Sequence, residues 1–185
     1  MPENEIKTMT ISVPAGDLTP AQLKNIVYML FSREELINRI TRSELLCIPD
    51  CLIEEIQENA PDTPEEFTRL LDDCVPDGLT GFDFRDGQVT MTFPFARKAP
   101  GKWTAYANLL NLIVERASKL TRVYPRRVIP DGQNDKYLAH CWLHSIGFAG
   151  PDFKADRRIL SGHLAGYAAF PTEEKMRAAM EKRCG

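Results

Sequence analysis

His140 and His144 lie four residues apart with Cys141 between them, the arrangement in this chain that comes nearest to a metal site. On a helix, that spacing puts both imidazoles on one face, where they could share a zinc ion. Zinc needs three or four protein ligands, and Cys141 projects about 100° away from His140 around a helix. No third ligand follows, so the pair reads as ordinary histidines and no metal is expected. Cys47 and Cys51 have a loose metal-like spacing, but Pro49 falls between them and no second pair follows; they read as a buried thiol and a helix first-turn residue. Catalysis by Cys74 or Cys141 would require a histidine met in space, and most intracellular cysteines are inert. Gly162-His-Leu-Ala-Gly166 lacks the strand before it and the Lys-Ser/Thr after it that a phosphate loop requires, and reads as a frayed helix end. No nucleophile elbow, zinc-protease or dinucleotide motif is present, so neither a catalytic residue nor a cofactor is expected.

Basic residues give a different kind of candidate. Lys154, Arg157 and Arg158 fall on one stretch of helix, preceded by the turn Gly147-Phe-Ala-Gly150 and an earlier helix. Helix, glycine turn and second helix form the outline of a helix-turn-helix, whose second helix would enter a major groove. Arg126, Arg127 and Lys136 would add phosphate contacts nearby. On this reading, replacing Arg157 and Arg158 by Glu abolishes DNA binding and leaves the fold intact. The plainer alternative is an antiparallel helical hairpin with a solvated basic face, because Leu138, Trp142, Ile146, Phe148, Phe153 and Leu160 explain the spacing by packing alone.

Charge along the chain supports either account. The net charge is −3, yet residues 1–95 carry seven Lys and Arg against 18 Asp and Glu, whereas residues 96–185 carry 16 against eight. A basic surface for nucleic acid or an acidic protein would produce this separation, as would two complementary surfaces within one fold. A protein–protein adaptor is the other functional reading, with the acidic N-terminal helices or the open side of a sheet meeting the partner. The apolar run from Leu109 to Val114 is broken by Asn111, Glu115 and Arg116, far short of the roughly 20 residues a membrane span needs. The acidic, polar start Met1-Pro-Glu-Asn-Glu is unlike a secretion signal. Five cysteines at wide spacing do not form a disulfide framework, and together these features predict a cytoplasmic protein.

The segment from Lys136 to Phe170 carries the pattern Lys136-Tyr137, Cys141, Gly147-Phe148, Gly150, Lys154, Arg157-Arg158-Ile159-Leu160 and Gly166. In this it resembles small proteins encoded on conjugative mobile elements of gut Firmicutes and labelled virulence-related. The resemblance implies a bacterial cytoplasm and a mobile-element setting, and implies no reaction.

These residues must be positioned by an α+β fold: a small antiparallel sheet of about three strands covered by helices, with a helical C-terminal region. Met9, Ile11 and Val13 alternate as one face of a strand. Thr19-Pro20 starts a helix with Leu23, Ile26, Val27, Leu30 and Phe31 inward, and Ser32 either restarts a second helix or is passed through. Helices after Pro49 and Thr63 follow. Residues 79–95 read as a hairpin around Asp86-Gly87, with Leu79, Phe82, Phe84, Val89, Met91, Phe93 and Phe95 apolar, covered by a helix beginning near Trp103. Residues 121–133 form a connector, with a short strand expected near Val128. Helices over 134–146, 152–165 and 172–183 complete the chain, capped by Asn134 or Asp135, Asp152 and Thr172. Residues 1–125 thus form the α+β core, and 126–185 a helical region packed on the same domain.

Overall fold

The computed structural model describes residues 7–75, 81–95 and 99–184. Its elements follow the order β1 (Thr8–Pro14), α1 (Pro20–Thr41), α2 (Asp50–Glu58), α3 (Pro64–Cys74), β2 (Phe82–Arg85), β3 (Gln88–Pro94), α4 (Pro100–Lys119), α5 (Asp135–Ile146), α6 (Lys154–Ser161) and α7 (Glu173–Cys184). This is an α+β architecture with an antiparallel sheet in the order β1-β3-β2.

The Asp86-Gly87 turn sets the register. Both residues have positive φ (50° and 67°), as a two-residue type I′ hairpin requires, and Arg85 pairs with Gln88 across them. Met9, Ile11 and Val13 then stand opposite Phe93, Met91 and Val89, so the alternating apolar residues of β1 and β3 share one face. The opposite face is polar, with a hydroxyl–hydroxyl bond of 2.9 Å between Ser12 and Thr90. Tyr106 of α4 stacks on Phe93 at 4.7 Å between ring centroids, and Phe67 of α3 meets Phe84 edge-on. The sheet is thereby covered as its pattern predicts. Leu79 lies outside the described residues, and Phe95 is exposed rather than buried.

α1 continues through Ser32 without a break. Ser32 Oγ donates within the helix to the Tyr28 carbonyl and also lies within hydrogen-bond distance of the Tyr124 carbonyl, tying α1 to the connector. From Asn25 to Phe31 every residue is buried, more than one stripe would supply, because α1 packs against α3, α4, α5 and α6. Buried Asn25 meets this environment by donating to the Leu120 carbonyl and accepting from the Val123 amide. The connector forms no strand at Val128; its amide there donates to the Ser32 carbonyl instead. α6 is shorter than the apolar pattern suggests, running only from Lys154 to Ser161, and Phe153 rather than Asp152 stands at its cap. Asn134 caps α5 as expected, and its amide group also donates to the Phe170 and Pro171 carbonyls. α5 and α6 pack on α1 and α4. None of the described helices is long and apolar enough to cross a membrane.

Candidate nucleic-acid interface

The six basic residues singled out from the sequence occupy three different environments. Lys154 and Arg158, one helical turn apart on α6, are exposed and form no ion pair among the described residues. Arg157 turns inward: its Nη1 donates to the carbonyls of Phe148 at 2.7 Å and Gly150 at 3.0 Å. Those carbonyls belong to the turn closing α5, where the Gly147 amide bonds to His144 and the Phe148 amide to Leu143 in a Schellman arrangement. Arg157 is therefore a clamp on the turn, and the Arg157/Arg158 double glutamate substitution would disturb the fold as well as the surface. Arg127 is held by Glu34 at 3.0 Å and the Ile48 carbonyl at 3.0 Å, with its guanidinium 4.1 Å from the Phe31 ring centre. Arg126 is exposed beside a separate cleft near Trp142, and Lys136 is half-buried in the first turn of α5.

Helix-turn-helix geometry does not result. The link spans residues 147–153, longer than the three or four residues such a turn uses. α6 also packs firmly on α4: Leu160 is buried, and the buried Asp156 carboxylate accepts from Asn108 Nδ2 at 2.7 Å. What α6 offers is its outer stripe, with Lys154 and Arg158.

That stripe borders a cleft of about 330 Å³ whose lining includes Arg42, Lys102, Tyr106, Arg158, Ile159 and His163. Three elements converge here. The end of α1 brings Arg42, the first turn of α4 brings Lys102, and α6 with the loop after it brings Arg158 and His163. Gly101 permits the approach of α4 to α6, because a Cβ there would stand 3.1 Å from Ile159 Cδ1. His163 Nε2 donates to the Arg39 carbonyl at 2.9 Å, fixing the loop to the end of α1. Among the described residues no carboxylate lines the cleft, and Arg42, Lys102 and Arg158 form no ion pair. Ala99 gives the first turn of α4 no side-chain cap, and the N-terminal end of the helix dipole adds to the positive potential. Burial raises the pKa of the Tyr106 hydroxyl, and the Arg42 charge partly offsets this.

Arg42 itself has left-handed backbone, with φ 57°, at the C-terminal cap of α1. Glycine is the ordinary residue for that position, and a larger side chain there costs of order 1 kcal/mol. Arg42, Lys102 and His163 were not found from the sequence, because they lie far apart in the chain and Arg42 falls within its acidic half. Only the positions of Lys154 and Arg158 carry a local signal.

His140, His144, Cys47, Cys51, Cys74 and Cys141 do not line this cleft. His140 and His144 are 4.3 Å apart between ring centres; burial first, then the charges of His144 and Arg157, holds the His140 pKa below the ordinary histidine range. Among the described residues, no group of three or more His, Cys, Asp and Glu side chains is arranged to hold a metal. Cys47 is exposed, not buried, and Cys51 lies in the first turn of α2. Cys74 is flanked by Cys51 and Glu55, and burial pushes its thiol pKa up, away from the thiolate. Gly162 lies in the right-handed region at the end of α6 and the segment after it is loop, as a frayed helix end would be.

Fold and site together define a small α+β protein with a basic cleft at the meeting of three helices. No family model matches the chain, and no match was found among curated proteins or solved structures.

Proposed function

We propose that this is a non-enzymatic nucleic-acid-binding protein of a bacterial mobile element, acting in the cytoplasm, and that it grips phosphates in the cleft between α1, α4 and α6. The observation that carries this reading is the convergence of Arg42, Lys102, Arg158 and His163 around one cleft with no carboxylate in its lining among the described residues. Like charges gathered in a concave site repel one another, and an anion that enters relieves the repulsion. Lys154 extends the row by one helical turn on the exposed side of α6. Backbone phosphates meet such a row without reading sequence, so sequence-tolerant binding is expected. Trp103, next to Lys102 in the chain, is 44% exposed and meets Phe95 edge-on at 5.8 Å. Trp103 does not line the cleft, but an exposed aromatic elsewhere on the same surface can serve as a stacking platform for unpaired bases of a bound strand. The mobile-element setting rests on the resemblance of the Lys136–Phe170 segment.

Arg42→Gly tests the reading in two directions at once. Glycine relieves the left-handed strain at the α1 cap, so the variant is expected to be more stable to urea by up to about 1 kcal/mol. Loss of one phosphate contact weakens binding to labelled mixed-sequence duplex DNA and single-stranded RNA by roughly tenfold at low salt. A stabilised variant that binds both as tightly as the parent removes Arg42 from the interface. A parent protein that binds neither at low salt ends the proposal and leaves the adaptor reading.

A further inference from the structure

A second cleft, of about 350 Å³, opens between α1, the end of α4, the connector and α5. Its lining shares no residue with the basic cleft. Met29, Trp142 and Ile146, each under 10% exposed, supply an apolar floor, and the exposed Arg116 and Arg126 stand at its mouth. Arg33 lines the same cleft. Its Nη1 is buried and meets no hydrogen-bond acceptor among the described residues.

The acidic residues nearest Arg33 and Arg116 in the chain are engaged elsewhere. Glu34 binds Arg127 and the Ile48 amide, and Glu35 binds Arg39. Glu115, adjacent in sequence to Arg116, pairs with Lys119. Among the described residues no Asp or Glu lines the cleft, and burial alone holds the Arg33 pKa below its ordinary value. A half-buried guanidinium whose buried Nη1 has no acceptor is costly to keep, and methionine would fill the same space without that penalty. Such a group is accounted for if a ligand supplies the missing acceptor.

We propose that this cleft binds a small apolar monocarboxylate, with the carboxylate on Arg33 and the hydrocarbon against Met29, Trp142 and Ile146. A guanidinium matches a carboxylate through paired N–H donors, and the Arg33 guanidinium, with its unmet N–H, balances one negative charge. The apolar floor disfavours a bare inorganic anion, which would leave that surface wet. The volume lies at the lower end of small-molecule sites, so the occupant is a free small molecule.

Trp142 is one of two tryptophans in the chain, so Trp103→Phe leaves a single tryptophan, in the wall of this cleft, to be excited selectively over the tyrosines. In that background, octanoate and phenylbutyrate are titrated against the full-length protein, with octanol as the uncharged control. At least one carboxylate should shift Trp142 emission saturably, and octanol should bind at least tenfold more weakly than octanoate. Arg33→Met should remove the preference for the acid over the alcohol. The proposal is overturned if neither carboxylate shifts the emission, if octanol binds as tightly as octanoate, or if folded Arg33→Met binds the acids unchanged. The comparison of acid with alcohol requires no change at Arg33, so it decides the matter even if Arg33→Met does not fold.

Discussion

Replacing Asp135 by Ala lowers the stability of this protein by about 3 kcal/mol, at the lower end of what breaking a buried ion pair costs. Asp135 is the best-enclosed carboxylate in any described ion pair, with 8% of its side chain exposed. One oxygen accepts from Arg39 Nη1 at 2.6 Å and the other from the Gly132 amide at 3.1 Å. Arg39 also donates to the Pro130 carbonyl, so this cluster ties α1 to the connector and to the start of α5. Removing the carboxylate leaves a partly buried guanidinium and an unpaired amide. Arg39 keeps Glu35 at 3.0 Å and has 31% of its side chain exposed, which is why the loss stays at the lower end. Asp135→Asn retains an oxygen for the Gly132 amide and should lose roughly half as much. Urea midpoints measure both; an alanine variant within about 0.5 kcal/mol of the parent would show that the pair contributes little.

Reversing charge at Lys102 and Arg158 together weakens binding to duplex DNA by at least about a hundredfold at low salt, because two phosphate contacts are replaced by two repulsions. Arg158 is exposed, Lys102 is half-buried, and neither forms an ion pair among the described residues, so the urea midpoint should barely move. Arg157 stays in place in this variant, keeping its bonds to the Phe148 and Gly150 carbonyls. Charge reversal at Arg116 and Arg126, in the other cleft, changes net charge equally and should weaken binding only a few-fold, through the long-range field. Equal losses in the two double variants would mean that bulk charge, not the cleft, drives the interaction.

Why the sheet could be read from the sequence and the site could not follows from the range of the interactions involved. Asp86-Gly87 determines its turn through its own backbone, and the alternation of Val89, Met91 and Phe93 aligns with Met9, Ile11 and Val13 residue by residue. Thr19 and Thr63 cap their helices through side chains that reach only three residues. Ser32 has the local spacing of a cap, yet α1 runs on, since burial on several sides holds it together more strongly than one cap could divide it. α6 stops at Ser161, short of the apolar pattern, as the chain turns back to place His163 on the end of α1.

At the candidate site, Arg157 and Arg158 look alike in sequence and differ in role. Arg157 is drawn in by two carbonyl oxygens of a glycine turn, and carbonyl acceptors leave no trace in residue type. Arg127 is likewise taken up by Glu34 and the Ile48 carbonyl, contacts that depend on how the connector lies across α1 and α2. The cleft comes from the packing of α6 on α4, which is why Arg42 and Lys102 join Arg158 only in three dimensions.

The salt dependence of binding to mixed-sequence duplex DNA tests the phosphate-gripping cleft most directly. With Arg42, Lys102, Lys154 and Arg158 on phosphates, log Kobs should fall with log salt at a slope near −3.6, from about 0.9 per contact for roughly four contacts. Lys102→Ala should make that slope shallower by about 1. A slope close to zero, or one unchanged in Lys102→Ala, would contradict phosphate binding in this cleft.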